Sequence, residues 1–135
     1  MKEIFAVIRM NKSGATRRAL VETGVVGFTA FKVMGRGKLV TDPTVIEERK
    51  RHLLALSGKY DPDTERRITE FLDGTSLFPR RLFTILARDE DVQKIVDVII
   101  GINRTELRVG DGKIFVLPVI EAVRVRTGET GDAAV

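Results

Sequence analysis

One local pattern occurs twice in this chain, near either end, and it constrains the fold more than any other feature. Residues 2–10 are rich in Ile, Val and Phe with partial alternation, which predicts a strand. Residues 13–23 then place Ala15, Ala19 and Leu20 on one side and Arg17, Arg18 and Glu22 on the other, with Ser13 as cap and Gly24 as stop. Residues 26–34 return to β-branched and aromatic types. The pattern recurs with a strand over 81–87 and a helix from Asp89 carrying Val92, Ile95, Val96 and Ile99 at helical spacing. A last strand over 113–125 bends at Pro118.

The order β-α-β, insertion, β-α-β predicts an α+β, ferredoxin-like β-α-β-β-α-β arrangement, with two helices on one face of a four-stranded antiparallel sheet. At 135 residues the chain is expected to form a single domain over 1–135. The opposite sheet face needs a cover, so an oligomer is expected. The insertion, about 38–79, twice places Asp-Pro ahead of a helical pattern, at Asp42-Pro43 and Asp61-Pro62. Asp as cap with Pro at the first helical position predicts two short helices. The second carries Ile68, Phe71 and Leu72 at i, i+3 and i+4, an apolar stripe for the core or for a partner, and Gly74 is expected to end it.

Several function classes fall away on composition. There is no cysteine, so disulfides, thiolate metal sites and cysteine nucleophiles are excluded together. No apolar run has the length of a membrane span and the start lacks a signal-peptide pattern, so a cytoplasmic protein without membrane insertion is expected. The net charge is +4, but Lys and Arg are interspersed with Asp and Glu, which argues against nucleic acid. The single histidine, His52, has no second ligand or nucleophile nearby, so no metal site and no catalytic residue is assigned.

Three clusters combine backbone freedom with positive charge: Gly35-Arg36-Gly37-Lys38, Gly110-Asp111-Gly112-Lys113 and Arg124-Val125-Arg126. Glycines let main-chain N–H groups turn toward an anion, and flanking cations supply charge-assisted hydrogen bonds to phosphate oxygens. Read as strand residues, Arg124 and Arg126 project from one face and reach one ligand as a pair. The spacing fits neither a P-loop nor a dinucleotide fingerprint, and no nucleophile stands beside a base. Binding without turnover is the reading, and a small nucleotide hydrolase on the same fold is the alternative from another class.

The segment GDGKIFVLPVIEAVRVRTGETGDAAV closely resembles the C-terminal signature of PII signal-transduction proteins, and MKEIFAVIRMNK with GFTAFKVMGRGK resembles their opening. The resemblance implies a trimer that binds ATP or ADP in the clefts between neighbours and docks an extended loop, the T-loop, on a target protein. By residue match, Thr29, Gly35, Gly37 and Lys38 would line the nucleotide, with Leu86 near the base. Gly110, Asp111, Gly112 and Lys113 would surround the phosphates, and Arg124 and Arg126 would reach them. Arg80, matching a family lysine, would contact phosphate or a 2-oxoglutarate carboxylate.

This chain departs from the family in three places. Leu39 stands where many members carry a glutamine that orients magnesium and 2-oxoglutarate, and leucine offers no oxygen to a metal, so weaker or differently held 2-oxoglutarate is expected. The segment 104–109 is a residue longer than the usual Thr-Gly-Lys turn. The T-loop far exceeds ordinary loop lengths. That length, with the GRGK and RTGETG wording, resembles the second type of nitrogen-fixation-associated PII-like proteins. Those pair with a first-type homologue and inhibit dinitrogenase. The resemblance implies that target, a homotrimer or mixed assembly, and Ile68, Phe71 and Leu72 as candidate partner contacts. Control of an ammonium transporter or of glutamine synthetase is the alternative within the family, and Tyr60 is a candidate modification site.

Overall fold

The computed structural model describes residues 1–37, 42–74, 76–106 and 110–135. The chain divides into two compact units, one of Met1–Val33 with Pro79–Val135 and one of Met34–Phe78. The elements in chain order are β1 (Lys2–Arg9), α1 (Ser13–Glu22), β2 (Thr29–Gly35), α2 (Pro43–Ser57), α3 (Pro62–Leu72), β3 (Phe78–Ala87), α4 (Val92–Asn103) and β4 (Gly112–Pro118).

The four strands form one antiparallel sheet in the order β2-β3-β1-β4. Each βαβ crossover skips one strand, so β3 fits between β1 and β2, and β1 fits between β3 and β4. This is the ferredoxin-like fold that the element order predicts. Register runs from Lys2 opposite Ala87 to Arg9 opposite Arg80 on one side of β1. On the other it runs from Lys2 opposite Pro118 to Ile8 opposite Gly112.

Period-two alternation sorts the side chains. Ile4, Ala6 and Ile8 of β1 and Phe83, Ile85 and Ala87 of β3 are buried with Leu20 of α1 and Ile95 and Ile99 of α4. Each large aliphatic in that layer contributes roughly 1.5–3 kcal/mol by leaving water. One polar pair lies among them: Asn103 Nδ2 donates to Thr16 Oγ1 at 3.0 Å, and Thr16 Oγ1 donates to the Lys12 carbonyl at 2.9 Å. The alternate positions, Phe5, Val7, Leu82, Thr84, Leu86, Phe115 and Leu117, take the sheet face away from the helices. There Phe115 is 48% and Leu117 41% exposed.

In the second unit, both Asp-Pro helix starts form as the sequence predicts. Asp42 Oδ1 accepts from Thr44 N at 2.9 Å and Asp61 Oδ1 from Thr64 N at 3.0 Å. The Thr64 hydrogen bonds hold the Asp61 carboxyl below the usual carboxylate range. Gly58 and Gly74, at φ 63° and 74°, end the two helices. Helix α2 has 15 residues, longer than the short helix expected. Lys50 of α2 meets Glu65 of α3 at 2.8 Å, joining the two into a helical hairpin. Arg36 Nη1 donates to the Gly74 carbonyl at 2.7 Å within the same unit.

Two expectations need correction. Ser13 is the first helical residue of α1 and does not cap it; a 3₁₀ turn over Met10–Lys12 leads into the helix instead. The last strand stops at Pro118 and does not run to residue 125. Proline has no N–H to continue a ladder. Beyond it, Thr127 and Gly128 donate to the Arg124 carbonyl at 3.2 and 2.8 Å, and Val123 and Thr130 form an isolated bridge. Arg124 and Arg126 therefore lie on a tight turn, not alternating along a strand.

Candidate functional site

The antiparallel register of β1 and β3 ends on Arg9 opposite Arg80, which sets two guanidinium groups side by side. Both lie on the sheet face away from the helices, as does Lys113, which stands opposite Val7 on β4. Like charges converge only where counter-charges and dipoles offset their repulsion. Arg9 Nε donates to the Gly110 carbonyl at 2.9 Å and Arg80 Nη1 to the same oxygen at 3.2 Å. Arg9 Nη2 also lies 3.2 Å from Asp111 Oδ1.

Asp111 is tied down from the other side. Its carboxylate accepts from Thr105 N at 2.8 Å and Thr105 Oγ1 at 2.6 Å. The Thr105 hydrogen bonds, followed by the charges of Arg9 and Lys12, hold its carboxyl below the usual carboxylate range. The flanking glycines are required by geometry. Gly112 has φ 127°, and a Cβ there would fall on the Val7 carbonyl oxygen; Gly110 has φ 92°, with Arg9 Nη2 3.2 Å from where a Cβ would stand. The turn Gly110–Lys113 therefore presses its backbone against β1, beside the guanidinium groups of Arg9 and Arg80.

A second group gathers elsewhere on the same unit. A cavity of about 760 Å³ is lined by Thr29 at the start of β2, Leu86 near the end of β3 and Arg124, among others. Arg124 Nη1 is paired with Glu129 Oε2 at 2.6 Å. Arg126 is exposed on the turn and does not line this cavity. Arg80 and Leu86 are six residues apart on one strand, so the groups stand roughly 20 Å apart along β3.

Gly35 closes β2 and Gly37 follows it, exposed; Lys38 and Leu39 lie outside the described residues. In the helical hairpin Leu72 is buried, Ile68 is partly buried, and Phe71 packs edge-on against Phe78 at 5.0 Å between centroids. Leu56 and Tyr60 are 71% and 77% exposed near the hairpin's turn. Sequence reasoning missed Arg9 and Thr105. The only signal for Arg9 was its position at a strand end matching Arg80 at the start of another, which becomes visible once the register is known. Among the described residues no helix is long and apolar enough to cross a membrane, and no cluster of His, Asp and Glu could hold a metal.

Comparison with known proteins bears on what this arrangement serves. The family model "Nitrogen regulatory protein P-II" matches residues 1–129. "Nitrogen fixation nifHD1 region GlnB-like protein 2" of Methanosarcina barkeri is 37% identical, covering 99% of this chain and 98% of the relative. "Nitrogen fixation nifHD region GlnB-like protein 2" of Methanothermobacter marburgensis is 36% identical, covering 99% of each. "Nitrogen regulatory protein P-II" of Rhodobacter capsulatus is 33% identical over the full length of both. A family match over nearly all residues, with relatives above 30% identity end to end, decides the matter: the chain belongs to the nitrogen regulatory protein P-II family.

Proposed function

We propose that this protein is a regulatory sensor that binds ATP or ADP between copies of itself and inhibits dinitrogenase through its helical hairpin. The observation that carries the nucleotide reading is the convergence of Arg9 and Arg80 on the Gly110 carbonyl, at the turn that leads into Lys113. Guanidinium and ammonium groups there meet phosphate or carboxylate oxygens with charge-assisted hydrogen bonds, and the Gly110 and Gly112 conformations let the main chain approach an anion. A 2-oxoglutarate carboxylate would meet Arg9 and Arg80. Magnesium would gain no ligand from Leu39, so 2-oxoglutarate would depend on the arginines more than on the metal.

The separation of the two groups along β3 argues for a shared site. One copy would bring the Thr29, Leu86 and Arg124 side, and its neighbour the Gly110–Lys113 side. The half-exposed Phe115 and Leu117 on the uncovered sheet face suit the apolar interface of a trimer, homomeric or mixed with a second P-II-like chain. The dinitrogenase reading is supported by the relatives whose names tie them to the nifHD region of nitrogen fixation. A hairpin whose two helices carry their own caps is suited to act as a separate docking element.

Mixed oligomers test the shared site. Arg80→Ala and Arg124→Ala are each expected to weaken ATP binding when assembled alone. Mixing them by joint refolding should restore a fraction of wild-type-affinity sites in calorimetry, because some clefts then receive both native halves. Mixed oligomers with no restored sites would contradict a site built from two copies.

A further inference from the structure

Within the chain, the guanidinium of Arg124 is already engaged by a carboxylate five residues away. Arg124 Nη1 donates to Glu129 Oε2 at 2.6 Å, and Thr127 Oγ1 donates to the same oxygen at 2.8 Å. The turn that positions them is closed by main-chain bonds: Arg124 N to the Glu129 carbonyl at 2.8 Å, and Gly128 N to the Arg124 carbonyl at 2.8 Å. Main-chain bonds thus hold the place of Glu129 in addition to the two bonds that its side chain accepts. The other carboxylate paired with a site arginine, Asp111, differs in this respect, since it also anchors Thr105 through both N–H and hydroxyl. Glu129 can lose its charge without taking a loop apart.

We propose that Glu129 is an internal counter-ion that competes with the nucleotide's phosphate groups for Arg124. The proposal rests on the reading of Arg124 as a phosphate contact. Arg124 borders the cavity that also holds Thr29 and Leu86, so an anion reaching it meets a guanidinium whose charge Glu129 has partly neutralised. Either the carboxylate swings away and the ion pair is lost, or it stays and repels the phosphate. Both routes lower the affinity of an anionic ligand and leave an uncharged ligand unaffected. The side chains are 38% and 47% exposed, so the pair is of the weak, solvent-screened kind. Removing the negative charge is therefore expected to tighten ATP binding about 1.5- to 5-fold.

Glu129→Gln keeps the shape and an acceptor oxygen for Arg124 and Thr127 and removes only the charge. Glu129→Ala removes the charge and the acceptor. Calorimetry with ATP and with adenosine on the assembled wild type, both variants and Arg124→Ala forms the test. Both Glu129 variants should bind ATP more tightly with adenosine affinity unchanged, and the gap from wild type should narrow as salt is raised. Unchanged or weaker ATP binding in Glu129→Gln overturns the counter-ion role, as does equal tightening for adenosine, which would mark a change of shape. If Arg124→Ala weakens ATP as expected, that failure is confined to Glu129. If Arg124→Ala binds ATP like wild type, the phosphate assignment of Arg124 fails and the counter-ion role falls with it.

Discussion

Replacing Gly112 by alanine isolates the close approach of the Gly110–Lys113 turn to β1. Two costs combine at this position. At φ 127° an L-residue is strained by about 1–3 kcal/mol. A Cβ would also fall on the Val7 carbonyl oxygen, which belongs to the backbone of a central strand and cannot rotate away. Relieving that overlap means shifting β4 off β1, at an overpacking cost of typically about 1–3 kcal/mol. Gly112→Ala should therefore destabilise the protein by about 2–6 kcal/mol. Gly128→Ala is the control, because Gly128 has φ 71° but open space where a Cβ would stand. It should cost only the left-handed penalty of about 1–2 kcal/mol. Urea unfolding of both variants at one fixed protein concentration gives the comparison from midpoint and slope. If Gly112→Ala costs no more than Gly128→Ala, the steric argument for the second glycine of the turn is wrong.

Three further outcomes are expected. Arg9→Ala and Arg80→Ala should each weaken ATP binding by roughly 1.5–3 kcal/mol, read by calorimetry, since each removes a charge-assisted donor from the cluster. The lowered pKa of Asp111, caused first by its hydrogen bonds from Thr105, makes its contribution to stability complete above the ordinary carboxylate value. That contribution is lost as pH falls through the lower folded value, so thermal midpoints of Asp111→Asn should show a shallower acid limb than wild type. Asp42→Ala and Asp61→Ala should each cost the hairpin about 1 kcal/mol of helix stability, seen as reduced helical circular dichroism and faster amide exchange within 43–72.

Periodicity made most of the fold legible. The alternation of Ile4, Ala6 and Ile8, the helical spacing of Ile95 and Ile99, and both Asp-Pro starts correspond to observed elements. The end of the last strand was misread because Ile120, Val123 and Val125 carry strand-type side chains, whereas the outcome was decided by Pro118 and by main-chain bonds closing on the Arg124 carbonyl. Arg9 was missed for a different reason. Its significance comes from sitting opposite Arg80 and beside Gly110, residues 71 and 101 positions away, and no local pattern encodes a register. The glycines of the Gly110–Lys113 turn stand out in the sequence as a candidate phosphate motif, but the need for Gly112 to clear the Val7 carbonyl emerges only once β4 is laid against β1.

On the proposed function, nucleotide sensing belongs to the sheet-bearing unit and target inhibition to the helical hairpin. A variant lacking residues 42–74 removes both capped helices and leaves every strand, both sheet-packing helices and all the cationic groups around Gly110. Closing a surface segment of this kind costs little entropy, so the remainder should fold. The decisive measurement is dinitrogenase activity titrated with this variant and with the full chain, each first shown by calorimetry to bind ATP. This division of roles predicts that the variant keeps ATP affinity within about twofold, under 0.5 kcal/mol, and no longer inhibits dinitrogenase. Inhibition by the variant equal to that of the full chain would contradict it.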